Sequence, residues 1–434
     1  MPLGTRYHDR VPRRIQPIRH PVRIEHDGSA VFAERGEPLA AALIAGERLL
    51  LGRSPKLHRP RGPYCLRGSC EGCLARVDGV PNVMTCLVPA HGGERIITQN
   101  VLGSRRTDLL RATDFLFPHG IDHHRLFAGV AGLSSVVQAF ARRAAGLGKL
   151  PDRELLRGRA SRTRVRCLVA GAGAAGLSAA IELGGGAWLV DDAFEPGGSL
   201  LALEPAHALA LLDRARQRGV RLSLRSTVLG LYRAEVGEPG LRALVLTPTG
   251  VHQVSAERIV VASGTHAGSA PFGNNDLPGV WSARAALMLL RHGILVGDRI
   301  LIAGTGRFAD EFEQRACALP DAARPRQPIL RTAVESLVRA TGRSHVTGAV
   351  LNTGGRERKI ACDAVLVEGH YSRSLELVGQ AGGRLEFEPD TGFRPLLDAH
   401  AQAAPDVYCA GSAAGSGMDS ATHGARVGAY LAGG

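Results

Sequence analysis

The chain has 434 residues, 44% apolar and 21% charged, a balance that excludes disordered, fibrous and small disulfide-stapled classes and leaves room for about three domains. Its net charge of +13 comes mostly from Arg, but no basic stripe carries interleaved aromatics, so no nucleic-acid partner is expected and the excess is read as solvated surface. No stretch reaches the roughly 18 apolar residues of a membrane span, and the basic start lacks the apolar run of a secretory signal. A soluble, cytoplasmic chain with reduced thiols and no membrane contact is therefore expected.

Residues 1–20 read as a flexible basic arm. From 21, VRIEHDGSAVFAERG alternates about an Asp-Gly turn and reads as a hairpin. EPLAAALIAGERLL has helical spacing, and LGRSPKLHRPRGPYC is a loop. CLARVDGVPNVMTC repeats the alternation about a second Asp-Gly pair. These pieces make a small α+β domain over 21–100. FAGVAGLSSVVQAFARRAAGLGKL reads as a helical connector within 101–160, and RGRASRTR as a basic linker. Rossmann-like segments follow over 161–290 and 365–434, with an abbreviated second dinucleotide subdomain over 291–364. The expected class is α/β: a ferredoxin-like 2Fe-2S domain, then a two-dinucleotide-binding, Rossmann-like flavoprotein domain.

Four of the eight cysteines, Cys65, Cys70, Cys73 and Cys86, lie within CLRGSCEGCLARVDGVPNVMTC. Their C-x4-C-x2-C start, closed by a distant fourth thiol, is the plant-type 2Fe-2S spacing. Gly68 and Gly72 between the ligands permit a tight backbone whose amides approach sulfur. Structural zinc is the rival, but it usually pairs two C-x2-C knuckles and only one is present. Inert buried thiols are the third reading. Cys167, Cys317, Cys362 and Cys409 are scattered in apolar settings and read as core residues.

The strand CLVA leads directly into Gly171-x-Gly173-x-x-Gly176, with Ala174 and Ala175 opening the helix AAGLSAAIEL. An acid follows at the next strand's end, Asp191 with Asp192 beside it, where a ribose hydroxyl ligand belongs. That acid disfavours a 2′-phosphate, leaving FAD or NAD. Gly197, Gly198 and Ser199 in EPGGSL stand where flavoproteins pass backbone along the cofactor, and Val228 is placed to present backbone to adenine. Ser263 and Gly264 in VVASGTH resemble the A-T-G segment of two-dinucleotide flavoproteins. Gly411 and Ser412 in VYCAGSAAG resemble their A-G-D segment, with Ser412 where the pattern has Asp. A second loop, Gly304-x-Gly306-x-x-Ala309, is read mainly as a packing turn, because no convincing acid-ended strand follows it. Asp419, Ser420 and His423 read as a capped helix start and not as a triad. His123 and His124 lack a ligand pattern. No residue reads as a catalytic acid or base.

Several segments together resemble the α-subunit family of heterotetrameric sarcosine oxidases: LLLGRSPKLHRPRG, PNVMTC, TQN, RRAAGLG, VAGAGAAGLSAAIEL, DDAFEPGGSLL and NDLPGVWSARAALMLL. They occur in order over most of residues 20–300. The cysteine segment is more similar to hydrogen cyanide synthase, opine dehydrogenase and heteromeric proline dehydrogenase subunits. The resemblance implies an FAD-dependent oxidoreductase subunit whose β-type partner oxidises an amine or amino acid at its own FAD. An FMN at the subunit contact, the 2Fe-2S cluster and this chain's FAD would then carry electrons. It lacks the folate-binding half, so one-carbon transfer is not expected of these residues. A stand-alone NAD(P)H reductase and a non-catalytic scaffold or redox sensor are the competing readings.

Overall fold

The computed structural model describes residues 12–54, 58–101, 103–105, 108, 150–152, 158–233, 241–369 and 371–433. The expected helical connector falls largely outside them, as do His123 and His124. The chain forms two compact units, 1–155 with 269–368 and 156–268 with 369–434. The chain thus crosses between units at 268/269 and 368/369, where the sequence reading had set subdomain boundaries at 290/291 and 364/365.

In the first unit a five-stranded mixed sheet runs in the order Ser29–Glu34, Pro21–His26, Arg95–Ile97, Leu74–Val77, Val80–Met84. Only Pro21–His26 and Arg95–Ile97 pair in parallel. Both expected hairpins form, and each turns on an Asp-Gly pair with positive φ: Asp27 49° and Gly28 77°, then Asp78 50° and Gly79 82°. Such turns match the twist of the flanking strands. The helix Leu39–Ala45 buries its first six residues, an apolar surface whose burial is the main force holding so small a domain together.

The basic start is not a free arm where it is described. Arg13–Arg14 pair with Ile294–Leu295, Arg13 bridges Asp298 at 3.3 Å, and Arg14 bridges Glu37 at 2.6 Å. The buried carboxylates explain the difference, since their partners come from this segment. This unit also holds a four-stranded parallel sheet, Val280–Ser282, Ala364–Val367, Ile300–Ala303, Leu330–Thr332, with the helices Ala283–Arg291 and Arg307–Cys317, and a three-stranded antiparallel sheet, Leu337–Thr341, Gly348–Thr353, Arg356–Ile360. The strand Leu330–Thr332 is the one that follows the second glycine loop and its helix. It has only three residues and no acid at its end, so its pattern was too short to read.

The second unit holds the larger sheet, ordered Arg221–Ser223, Ala187–Val190, Arg159–Ala170, Gly250–Val261, Leu241–Thr247, Thr227–Arg233. Val407–Cys409 pairs in parallel with Ile259 to Val261. Arg159–Ala170 is one 12-residue strand, so RGRASRTR is largely strand and not linker. It runs beside Gly250–Val261 along its whole length, and this pairing overrides its polar composition. The parallel strands Arg159–Ala170, Gly250–Val261 and Val407–Cys409 end side by side, which gathers their following loops at one sheet edge. No helix among the described residues is long and apolar enough to cross a membrane.

His26 is fully buried in the small domain. Its Nε2 lies 3.1 Å from the Thr98 hydroxyl, which donates to Asp27, and its Nδ1 lies 3.4 Å from Arg105. Burial lowers its pKa from 6.5 to about 4, against Asp27 and with help from Arg105. A neutral His26 therefore stabilises the fold fully above pH 6.5, and this contribution is lost as pH falls toward about 4. Thermal unfolding between neutral pH and pH 4 should show the loss, on the order of 3 kcal/mol. His26→Gln should flatten that slope, and an unchanged slope would remove His26 as its cause.

Candidate cofactor sites

The loop that carries Cys65, Cys70 and Cys73 is coiled by three left-handed residues, Leu66 at φ 52°, Gly68 at 75° and Glu71 at 54°. Two of the three are not glycine, so the conformation has to be held by its surroundings. At Gly72 a Cβ would collide with the Gly62 carbonyl, and at Gly68 it would lie 2.8 Å from Leu87. Cys86 follows the strand Val80–Met84 in the turn Thr85–Leu87. Thr85 secures that turn by donating its hydroxyl to the Cys73 carbonyl at 2.8 Å.

Cys65, Cys73 and Cys86 are buried and Cys70 is half-buried. The thiols fall into two hydrogen-bonded pairs, Cys65 with Cys70 and Cys73 with Cys86. Backbone amides aim at the sulfurs: Arg67 and Ser69 at Cys65 Sγ, 3.4 and 3.3 Å away, Gly72 at Cys70 and Gly68 at Cys86. The hydrogen bond from Cys70, and then those of Ser69 and Arg67, hold the Cys65 thiol down at about 5 against burial. Cys70 is raised, first by donating to Cys65 and then by burial. Cys73 is lowered by its bond with Cys86, and Cys86 is raised by the same bond. Within each pair one thiol, Cys65 or Cys73, is thus the more acidic. Two pairs of thiols with amides directed at sulfur suit two irons sharing one cluster better than one tetrahedral zinc.

In the second unit the three glycines have separate tasks. Gly171, at φ 106°, turns so tightly that a Cβ would strike the Ala262 carbonyl. Gly173 begins the helix Ala174–Leu183 and has nothing within 4 Å of its Cβ position. Gly176 packs against the Gly171 carbonyl, with no space for a methyl group. This helix start carries no side-chain cap and no acid in its first turn. Open amides on an uncovered approach are what a pyrophosphate requires.

Asp191 is 7% exposed, and both its carboxylate oxygens are engaged by backbone. Oδ2 accepts from Ala172 at 2.5 Å and Oδ1 from Ala193 at 2.8 Å. It therefore also fastens the glycine loop. Asp192 beside it is exposed. Gly197 donates to the Ala172 carbonyl at 2.7 Å, which brings the Gly197, Gly198 and Ser199 turn to the glycine loop. Ser263 Oγ donates to the Ser374 carbonyl at 2.7 Å, and Ser412 Oγ lies 3.6 Å from the Cβ position of Gly264. Gly411 approaches Ala175. Val228 stands apart, half-buried at a bulge in the strand Thr227–Arg233, joined to this edge through Ser226 N, which donates to the Asp191 carbonyl at 2.8 Å.

Sequence reasoning gave no role to the C-terminal helix Ser420–Gly433. Gly424 and Gly428 bring its backbone against Ala175 and Ala179 of the glycine-loop helix. Their four-residue spacing was the available signal. His423 Nδ1 accepts from Gly411 N at 3.0 Å, and burial, then Arg426, lowers its pKa. Asp419 caps the helix through Thr422 at 2.9 Å. Both side chains are thus structural, as the sequence reading held.

Gly173 and Gly176 give opposite expectations. Gly173→Ala should cost about 1 kcal/mol or less in chemical denaturation yet abolish retention of a dinucleotide through purification. Gly176→Ala should destabilise by about 3 kcal/mol. Retained dinucleotide in folded Gly173→Ala would show that the pyrophosphate lies elsewhere.

Residues 19–101 match the 2Fe-2S iron–sulfur cluster binding domain family. The chain is 30% identical over 428 residues to the sarcosine oxidase α subunit of Rhizobium meliloti, covering 86% of this chain and 42% of that one. It is 26% identical to that of Corynebacterium sp. (strain P-1), covering 87% and 38%. Hydrogen cyanide synthase subunit HcnB of Pseudomonas aeruginosa is 32% identical over 158 residues, 33% of this chain and 34% of that one. The chain spans about two fifths of the length of these sarcosine oxidase subunits. Among solved structures, L-proline dehydrogenase from P. horikoshii shares the fold over 97% of this chain and 75% of its own, with a TM-score of 0.72 at 21% identity. Thioredoxin reductase from T. acidophilum matches 62% of this chain and 98% of its own, with a TM-score of 0.50 at 17% identity. Over most of its own length the chain is thus similar to sarcosine oxidase α subunits, residues 19–101 match a 2Fe-2S cluster binding domain, and the chain has a Rossmann-like α/β fold.

Proposed function

We propose that this chain is the electron-transfer subunit of a heteromeric, flavin-dependent amine or amino-acid oxidoreductase. The observation that carries the proposal is the pairing of four thiols, three of them met by backbone amides, in a chain that also presents an uncapped glycine-loop helix. When bound, a 2Fe-2S cluster supplies one-electron chemistry and a flavin exchanges two electrons for single ones. Cys65 and Cys70 would hold one iron, Cys73 and Cys86 the other. The amides of Arg67, Ser69, Gly72 and Gly68 would stabilise the negative charge on sulfur. Burial of three of the four thiols would keep water from the cluster.

At the second site the amides beginning at Ala174 would face the pyrophosphate of FAD, with Gly173 leaving room for its approach. Asp191 would hold the loop in shape, and Asp192 is the more accessible acid for a ribose hydroxyl. The closing segment at Gly411 and Ser412 is held by His423. NAD is the alternative occupant, since Ser412 replaces the Asp of the flavoprotein pattern. The substrate would be oxidised on a β-type flavoprotein partner, as the relatives named sarcosine oxidase subunit α and hydrogen cyanide synthase subunit suggest. An FMN at the subunit contact would complete the relay.

Protein purified without oxygen should contain iron and sulfide in equal amounts together with extractable FAD, and a rhombic signal should appear in electron paramagnetic resonance after reduction. Cys86→Ser should lower iron and sulfide by about tenfold, because a buried hydroxyl replaces the fourth thiolate. Zinc without sulfide, and no flavin, would sink the proposal.

A further inference from the structure

The chain contains a second glycine loop, and its surroundings differ from those of the first. Gly304, at φ 102°, and Gly306, at φ 155°, lead from the strand Ile300–Ala303 into the helix Arg307–Cys317. Glu368 follows the neighbouring parallel strand Ala364–Val367. Its amide donates to the Ala303 carbonyl at 2.8 Å, and its own carbonyl presses on the Cβ position of Gly304. Its side chain turns into the helix start. Oε2 accepts from Ala309 N at 3.1 Å, while Oε1 lies 2.6 Å from where a Gly306 Cβ would be. The residue is 4% exposed.

We infer that the Glu368 carboxylate occupies the phosphate position of the second dinucleotide fold and closes that fold to nicotinamide dinucleotides. In an open fold of this kind the pyrophosphate lies over the middle glycine and takes the first amides of the helix. Here a carboxylate already lies there, stabilised by the same amides and the helix dipole. A phosphate entering the nest would meet that side chain's volume and a like charge within a few ångströms. The glycines also receive an explanation that needs no ligand, since a side chain at 306 would strike Glu368. Glu368 is therefore a specificity-determining residue. It directs electron entry away from NAD(P)H at this subdomain, whichever cofactor the Gly171 loop holds.

Hydrogen exchange on the full chain in the presence of NADH, and separately of inorganic pyrophosphate, tests this. In the native chain neither probe should add protection to the amides of residues 303–309. Glu368→Gln and Glu368→Ala should each gain protection there, with pyrophosphate binding about tenfold tighter or more once the like charge is gone. A neutral amide is held less tightly than a carboxylate by the helix-start amides and dipole, so in Glu368→Gln an entering anion displaces the side chain, and this variant decides the matter should the alanine variant not fold. Protection of 303–309 in the native chain would overturn the inference, as would a folded Glu368→Gln variant that gains none. Protection around Gly171 is read separately and reports only on the first site.

Discussion

Backbone N–H groups aimed at sulfur let a small domain gather four ionisable thiols in a nearly dry loop. A buried thiolate without donors or a cation is strongly disfavoured. Here the amides of Arg67, Ser69, Gly72 and Gly68 point at three of the sulfurs. To present them the chain must coil through positive φ at Leu66, Gly68 and Glu71. That strain is held from outside the loop. The Gly62 carbonyl lies against Gly72, Thr85 secures Cys73, and the Tyr64 carbonyl accepts from Ser282 N at 3.0 Å. Ser282 in turn caps the helix Ala283–Arg291. The parallel-sheet subdomain in the first unit thus serves as an anchor for the cysteine loop, which gives it a purpose without a bound dinucleotide.

In the second unit the governing contact is backbone against backbone. Gly176 lies on Gly171, while Gly424 and Gly428 lie on Ala175 and Ala179. The glycine-loop helix is thereby clamped on two sides by groups with no side chain to yield. A helix held this way keeps its first amides in fixed directions, a form of preorganisation that lowers the ordering cost of binding. His423 extends the clamp to the closing segment through Gly411. Because its pKa is lowered, the ring stays neutral and its Nδ1 remains an acceptor at neutral pH.

Much of this was legible in the sequence wherever the signal was local. Both Asp-Gly hairpins, the cysteine spacing and the first strand–glycine–helix unit depend on residues within a few positions of one another. Three other features were hidden. The polar run before Val165 became strand because Gly250–Val261 offers it a continuous parallel partner, and pairing partners distant in sequence are invisible to composition. Arg13 and Arg14 looked like a solvated arm because Asp298 and Glu37, which bind them, are remote or unremarkable in the chain. Asp191 stands at the expected position. The sequence could not show that its oxygens are already taken by Ala172 and Ala193.

The two glycine loops carry this point furthest. Read as strings, Gly171-x-Gly173-x-x-Gly176 and Gly304-x-Gly306-x-x-Ala309 differ by one methyl group. In three dimensions the first leaves its helix start uncapped, and the second places a carboxylate from 59 positions beyond Ala309 on the same kind of amides. A fingerprint of this type specifies a backbone shape that welcomes negative charge, and the shape is indifferent to whether the charge comes from a ligand or from the chain. A dinucleotide motif therefore becomes evidence for a dinucleotide only when no side chain of the protein has already answered it.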